Sequence, residues 1–498
     1  MKYLPGAGQM KAADSYTMHT LGIPSLELME RAARSCVRFF KELKLDLSSI
    51  CIICGSGNNG GDGFAIGRLL MEEGHQVTAV MAGNPAHCTL ECQKQMELFE
   101  KAGGVIDNEF IVGEYSIIID AIFGVGLKRK IEGKYAQLLD EINKCKAVKF
   151  AVDIPSGISA DTGSIMGTAF RADYTVTFQN MKFGMEVYPG KEYSGQVVVA
   201  DIGISEDPLE ADREVPIQFE EKDYRRMLPP RKEDTNKGSF GKALVIAGSK
   251  GMSGAAYFNA KSAYLTGAGL VRIYTPEENR AILQQLLPEA IITTYEDYCE
   301  EELLGLLKWA DVICIGSGIG MENVSHKLLE TVIERCEVPC VIDADGLNIL
   351  AEHMDVLKEA CHHEYLLTPH MKEMSRLCKE SVEDIKRNRL DILKTFTDET
   401  DTVCVLKDSR TVVGKKGERS VVNGSGNSCM AKAGSGDILA GIITGFLAQG
   451  MSPYEAAILG VYVHGKAGDF ARRERGSYSV MAEDLMYHIS MAMKYLEE

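Results

Sequence analysis

No run of apolar residues in this chain approaches the 18 needed to cross a bilayer, so no membrane-spanning helix is expected. The opening residues MKYLPGAGQMKAADSYTMHT hold no apolar core segment, so no secretory leader is expected there. Basic charge is in deficit. The formal net charge is −17, which argues against non-specific binding to nucleic acid or an anionic membrane. It leaves room for a local electropositive pocket that holds a nucleotide. No Walker A sequence GxxxxGK[ST] occurs, so the chain is not a P-loop protein. No CxxC pair recurs at metal spacing. Cys51-x-x-Cys54 is one isolated match, inside a strand-like run that sends the two side chains to opposite faces. The 14 cysteines are scattered, several in apolar runs (Cys51, Cys54, Cys314, Cys340, Cys404). Reduced, buried thiols in a cytoplasmic protein fit that usage.

What is present is ordinary globular material, 45% hydrophobic and 25% charged. At 498 residues the chain exceeds the roughly 250–300 residues of a single core, so two or three domains are expected. Strand and helix patterns alternate throughout, which predicts an α/β protein with mainly parallel sheets covered on both faces. In the first half a helical period runs from Tyr16 to Glu42. A strand over Ser49–Cys54 enters the glycine-rich run Gly55–Gly63, and a helix is predicted from Phe64 to Glu73. Later strands end at Asp120 and at Asp153-Ile154-Pro155-Ser156-Gly157. The stretch from Ser205 to Asp223 is acidic, with few large apolar residues and no period. It reads as a linker, giving domains 1–212 and 224–498 with 213–223 the end of the linker. In the second half strands run into Gly316–Gly320, Asp343–Gly346 and Thr368-Pro369-His370. Thr402–Leu406 and Arg410–Val413 read as paired strands, and His464–Arg473 and Ala482–Lys494 as late helices.

The most informative stretch is Asn427–Gly441, NSCMAKAGSGDILAG. Gly434-Ser435-Gly436 precedes Asp437 and an apolar helical pattern. Glycines there bring free N–H groups to the positive end of a helix, a place for phosphate oxygens. Asp437 beside that cradle suits a carboxylate that takes a proton during phosphoryl transfer. The bland alternative is a small-residue helix start capped by an aspartate. His370, Lys407, Asp343, Asp345, Gly320 and Gly436 fall on strand-end loops around the same predicted cleft. In the first half Asn59, Asp120 and Ser156 stand at strand ends. Their oxygens suit a hard alkali or alkaline-earth cation; equally, these are common turn residues. Lys128, Arg129 and Lys130 either meet phosphate or form a solvated charge run. Asp153 is placed for proton transfer or for capping a loop.

Taken together the motifs resemble a known pair of families. AGSGDILAG (433–441), NSCMA (427–431), DADGLN (343–348), LLTPH (366–370) and GSGIG (316–320) resemble the ribokinase-like superfamily and, within it, the ADP/ATP-dependent NAD(P)H-hydrate dehydratases. GSGNNGGDGFAIGRLL (55–70), DAIFGVGLKRK (120–130), VDIPSGISADTG (152–163) and ADYTVTF (172–178) resemble the NAD(P)H-hydrate epimerase domain. The resemblance covers nearly the whole chain. It implies two doubly wound domains, Rossmann-like then ribokinase-like, and a bifunctional repair activity on hydrated NAD(P)H. An alternative kept open is a ribokinase-like small-molecule kinase fused to a nucleotide-binding module.

Residue by residue, the resemblance implies that Asn58, Asn59, Gly60, Gly61, Asp62, the segment Gly124, Val125, Gly126, Leu127, Lys128, Arg129 and Lys130, and Asp153 hold the hydrated dinucleotide in the epimerase half. Asn59, Asp120 and Ser156 would hold K⁺, and Asp153 would act in proton transfer. In the dehydratase half Ala260, Gly320, His370 and Asp437 would contact the hydrate, with Asp437 the catalytic base. Lys407, Asp408, Ser409, Arg410, Thr411 and Gly436 would contact ADP, with Mg²⁺ accompanying the nucleotide. A homo-oligomer is expected. Two positions depart from the family pattern: Asp408 where glycine is usual after the lysine, and Met371-Lys372 where Pro-Gly is usual after the histidine.

Overall fold

Every residue of Ile50–Cys54 (β1) is buried, as a strand covered on both faces must be. The computed structural model describes residues 1–359 and 364–498. The chain divides into two compact units, Lys2–Pro216 and Ile217–Glu498, the second taking in Met1. In the first unit β1 is flanked by Val77–Met81 (β2) and Ile117–Ala121 (β4); Val105–Asp107 (β3), Val148–Val152 (β5), Tyr174–Phe178 (β6) and Gln196–Ala200 (β7) complete the sheet. All seven strands are parallel, in the order β3-β2-β1-β4-β5-β6-β7. The order reverses between β1 and β4, and ligands of open α/β sheets bind outside the strand ends at that point.

The local sequence explains the turn at the end of β1. The following helix, Asn58–Glu72, begins inside the glycine run and not at Phe64 as expected. A Cβ on Gly60 would lie 1.8 Å from the Gly55 carbonyl oxygen, so only glycine lets the helix start this close to the strand. The predicted single helix Tyr16–Glu42 is two helices, Ala7–His19 (α1) and Ser25–Glu42 (α2). Gly22 at φ +75° turns the chain between them, and Pro24 sits at the N-cap of α2, where its missing N–H costs nothing.

In the second unit the parallel strands Lys242–Ile246, Leu270–Pro276, Ile291–Tyr295, Val312–Ile315, Cys340–Ile342, Tyr365–Leu367 and Val403–Leu406 form the body of the sheet. Lys242–Ile246 lies between Leu270–Pro276 and Val312–Ile315, so here too the order reverses. Val403–Leu406 pairs antiparallel with Val412–Gly414, the partnership expected from the sequence. The acidic stretch is not featureless. It holds a helix at Asp207–Ala211, a strand at Ile217–Gln218 and the start of a helix at Glu221–Met227. Ile217 donates its N–H to the Ser420 carbonyl at 2.9 Å and is buried, so this segment is part of the fold. The late helix runs Pro453–Arg475, longer than expected, because its first half is buried all round and shows no amphipathic period.

Ser435–Ala448, the helix after the glycine-aspartate motif, packs on Ser253–Leu265. A Cβ on Gly441 would meet the Asn259 carbonyl at 2.2 Å, so the two backbones touch. That contact holds the N-terminus of the motif helix over the strand ends.

Candidate functional site

At the first unit's switch point lies a cavity of about 520 Å³. Among its lining residues are Asn58, Asn59, Asp62, the segment Gly124–Leu127, Arg129 and Asp153. Four expected contacts do not reach it. Gly60 and Gly61 are buried against Gly55 and Met29 and serve close packing. Lys128 and Lys130 are exposed and line no part of the cavity, as charged side chains on a solvated turn do.

Asp153 sits one residue past β5 at φ +65°, a conformation uncommon outside glycine. Its Oδ1 accepts from the Phe178 N–H at 3.1 Å, the Thr177 hydroxyl at 3.2 Å and the Lys182 ammonium. Lys182 is 1% exposed, so an ionised Asp153 is the partner that makes burying its charge tolerable. Two further carboxyls line the same wall. Burial, with Asp153 nearby, raises Asp14 to about 6, and Lys182 pulls the other way. Burial, Asp153 and Asp14 together hold Asp62 well above the usual carboxylate range.

Asp120 and Ser156 are brought together. The Ser156 hydroxyl donates to Asp120 Oδ1 at 2.6 Å and the Ser156 N–H to Oδ2 at 2.7 Å. Phe123 N–H donates to the same hydroxyl at 2.8 Å. Burial raises Asp120 to about 6, and no Lys or Arg among the described residues pairs with it. Asn59, also buried, lies against Gly124 and has an amide Nδ2 without a partner. That nitrogen is a hydrogen-bond donor and no cation ligand; the oxygens that could face a cation here are those of Asp120, the Ser156 hydroxyl and Asn59 Oδ1. Among the described residues no group of three or more His, Cys, Asp or Glu is arranged to hold a metal.

In the second unit Lys407 bridges two carboxylates. Its Nζ lies 2.8 Å from Asp343 Oδ1 and 4.0 Å from Glu373 Oε2. Burial pushes Asp343 up, yet Lys407 and Thr368 (2.6 Å) outweigh it and hold it low. Burial alone would lower Lys407; the two carboxylates raise it. Gly436 opens directly onto this pair, a Cβ there standing 3.5 Å from Lys407 Nζ. Asp437, in the first turn of the motif helix, is raised to about 6 by burial and by Asp343. Ala344, between Asp343 and Asp345, is held at φ +49°, the second backbone outlier at a strand end beside a candidate site. Gly320 N–H donates to Asp345 Oδ2 at 2.9 Å.

The two departures have local explanations. Asp408 is bonded by Arg389 at 2.8 Å. Met371 and Lys372 begin a helix directly after His370, whose ring caps it: Nδ1 accepts from the Lys372 and Glu373 N–H groups at 3.0 and 3.1 Å. Lys407 N–H bonds the Pro369 carbonyl at 2.8 Å, which sets His370 beside Lys407. Ser409 is exposed, Arg410 is buried, and Thr411 donates to the Asp408 carbonyl at 3.3 Å. Ala260 is a correction: it is fully buried on Ser253–Leu265 and has no surface to offer a ligand.

Sequence reasoning missed Asp14, Lys182, Glu373, Arg389 and His464. Burial raises Glu373 to about 7, and burial with Lys407 lowers His464 to about 4; His464 Nε2 lies 3.1 Å from the Ser435 hydroxyl. Only Lys182 carried a signal, as a lysine between Met181 and Phe183 just past a predicted strand end.

Comparison with known proteins agrees in both units. Residues 25–184 match the family model described as YjeF-related protein N-terminus, and residues 243–491 match that of NAD(P)H-hydrate dehydratase. The bifunctional NAD(P)H-hydrate repair enzyme of Moorella thermoacetica is 35% identical, over 100% of this chain and 97% of its own. That of Escherichia coli is 35% identical over 96% of this chain and 90% of its own. Among solved structures, the ADP/ATP-dependent NAD(P)H-hydrate dehydratase of Bacillus subtilis, co-crystallised with ATP/Mg²⁺, is 27% identical with a TM-score of 0.51. The match covers 57% of this chain and 100% of that one.

Proposed function

This chain belongs to the bifunctional NAD(P)H-hydrate repair enzymes, and from that premise we propose how its residues divide the work. It interconverts the R and S forms of hydrated NAD(P)H and dehydrates the S form to NAD(P)H, with ADP converted to AMP and phosphate. The observation that carries the dehydratase assignment is the meeting of Asp437, Gly436 and Lys407 at the start of one helix.

The hydrate carries a hydroxyl on C6 of its reduced ring, and hydroxide is a poor leaving group. Asp437 takes the hydroxyl proton as the oxygen attacks the terminal phosphorus of ADP; AMP departs. The C6–O bond then breaks, assisted by the ring-nitrogen lone pair, and phosphate leaves. Loss of the C5 proton restores the ring double bond. Lys407 and the N–H groups of the motif helix neutralise charge on the transferring phosphoryl group. Gly320 and His370 face the hydrate, and the segment Lys407–Thr411 faces the nucleotide. Mg²⁺ fits as an ion carried in on the nucleotide phosphates, since Asp343 is already paired with Lys407.

In the first unit Asn58, Asp62, Gly124–Leu127 and Arg129 cradle the hydrate, and Asp153, positioned by Lys182, accepts a proton. K⁺ would be held by Asn59, Asp120 and Ser156 and would supply the positive charge that the buried Asp120 lacks. The free thiols, all but one at least half-buried among the described cysteines, support a reducing, cytoplasmic setting.

The test is to supply both epimers with ADP and follow NADH absorbance, free phosphate and AMP. Equal amounts of NADH, AMP and phosphate are expected. A stable phosphorylated product without NADH would identify a small-molecule kinase instead.

A further inference from the structure

The epimerase cavity holds one more carboxyl than the reading above uses. Asp14 projects from α1, a helix that carries none of the recognised motifs. It is half-buried, lines the cavity, and its side chain forms no hydrogen bond or ion pair with any described residue. A partly desolvated carboxyl with no structural partner costs stability, and such a group in a cleft points to chemistry. Asp153 lines the same cavity, close enough for its charge to act on Asp14. Lys182, Thr177 and the Phe178 N–H all converge on Asp153 Oδ1, so Oδ2 is left without a protein donor and open to the cavity.

We propose that Asp14 is a catalytic residue of the epimerase, the proton-carrying partner of Asp153. The inference rests on the epimerase reading of this unit. Inverting C6 requires the hydroxyl to leave one face of the ring and return to the other. Asp14 gives its proton to the departing hydroxyl as the C6–O bond breaks, and water is formed. The ring-nitrogen lone pair becomes the C6=N bond. Water then adds to the opposite face, Asp153 Oδ2 takes its proton, and the lone pair returns to nitrogen. One proton has moved from Asp14 to Asp153, and the reverse reaction moves it back. Every oxygen that returns to C6 comes from water.

The charged and titratable groups around Asp14 favour this division. Asp153 and Lys182 line the same cavity from the β5 and β6 ends, Asp62 from Asn58–Glu72 and Arg129 from the loop after β4. Lys182 donates to Asp153 Oδ1 and leaves Oδ2 free of protein donors. Asp14, pushed up to about 6 by burial, is able to give and regain a proton close to neutrality, and burial with Asp153 and Asp14 raises Asp62 well above the usual carboxylate range.

The experiment uses the full chain in potassium buffer with each purified epimer, followed by chromatography and corrected for the uncatalysed rate. Asp14→Asn should lower kcat for interconversion by about 10²–10⁴-fold with KM within threefold. Dehydration of the pure S epimer should be unchanged, which reports that the variant is folded. Asp14→Glu should recover at least tenfold over Asp14→Asn. The wild-type rate should fall at alkaline pH through a limb that Asp14→Asn lacks, and ¹⁸O from labelled water should appear in each inverted molecule. Asp14→Asn retaining a tenth or more of wild-type kcat, or losing activity through KM alone, would overturn the proposal and leave the epimerase reading standing. No interconversion by the wild type would overturn both.

Discussion

The guanidinium of Arg389, almost wholly buried, sits 2.8 Å from the carboxylate of Asp408. Asp408 follows Lys407, where we propose the nucleotide binds, and an unpaired carboxylate there would repel phosphate. Arg389 removes that repulsion, and a second of its nitrogens reaches the Arg410 carbonyl at 3.4 Å. The chain keeps an acidic residue directly after Lys407 by pairing it with a buried arginine.

Arg389→Met should therefore raise KM for ADP more than it lowers kcat, and destabilise the second unit by about 3–5 kcal/mol. Adding Asp408→Asn should recover part of both losses. A coupling energy near zero in that double-mutant cycle, measured by ADP titration and denaturant unfolding, would show the pair to be independent.

Asp437→Asn should cut dehydration by about 10²–10⁴-fold with the fold and ADP affinity kept. The base must be ionised to act. With Asp437 raised to about 6, wild-type activity should hold above that pH and fall tenfold per unit below it. A flat kcat/KM profile between pH 5 and 8 would remove Asp437 from that role.

Potassium dependence has a sign that burial fixes. Asp120 is raised from its ordinary 3.8 to about 6 in the fold. The folded state thus binds its proton more tightly than the unfolded one, so stability is lost as pH rises from about 4 through 6. The cost reaches about 3 kcal/mol above that range. A bound cation would offset it. Potassium should raise the melting temperature of the wild type more at pH 7.5 than at pH 5, with little effect on Asp120→Asn. Epimer interconversion should fall when potassium is replaced by a large organic cation at equal ionic strength. Identical melting curves in both salts would exclude a cation here.

Separation of the halves should follow the division at 216/217. Segments 1–216 and 217–498 should each be soluble, and mixing them should restore NADH formation from both epimers. A cut after 212 should serve the first unit less well, because it removes Val215, which is fully buried, and Pro216, whose carbonyl accepts from the Leu4 N–H at 2.8 Å. Equal solubility and melting temperature for 1–212 and 1–216 would count against this.

Much of this was legible because parallel strands are apolar runs and the turns after them need glycine. Gly55–Gly63 and Gly434–Gly436 located both sites. What stayed hidden depends on contacts distant in sequence. Arg389 meets Asp408 across 19 residues, and Asp14 reaches the cavity from a helix with no motif of its own. The first half of Pro453–Arg475 escaped notice for the opposite reason, since a helix buried on every side has no polar face to mark its period. The acidic stretch misled because short elements such as Ile217–Gln218 need only one or two apolar residues to be anchored.

The cap at His370 has a consequence for recognition. With Nδ1 accepting two backbone N–H groups, the imidazole proton must reside on Nε2. Burial and the neighbouring Lys407 lower its basicity, so this single tautomer persists through neutral pH. The exposed edge of the ring is then a one-way contact that donates and never accepts. Nε2 lies 3.4 Å from Glu373 Oε1, and on the proposed placement of the hydrate beside His370 a substrate carbonyl would compete for that donor where an amino group would not, so a structural cap would also bias which way round a carboxamide is read.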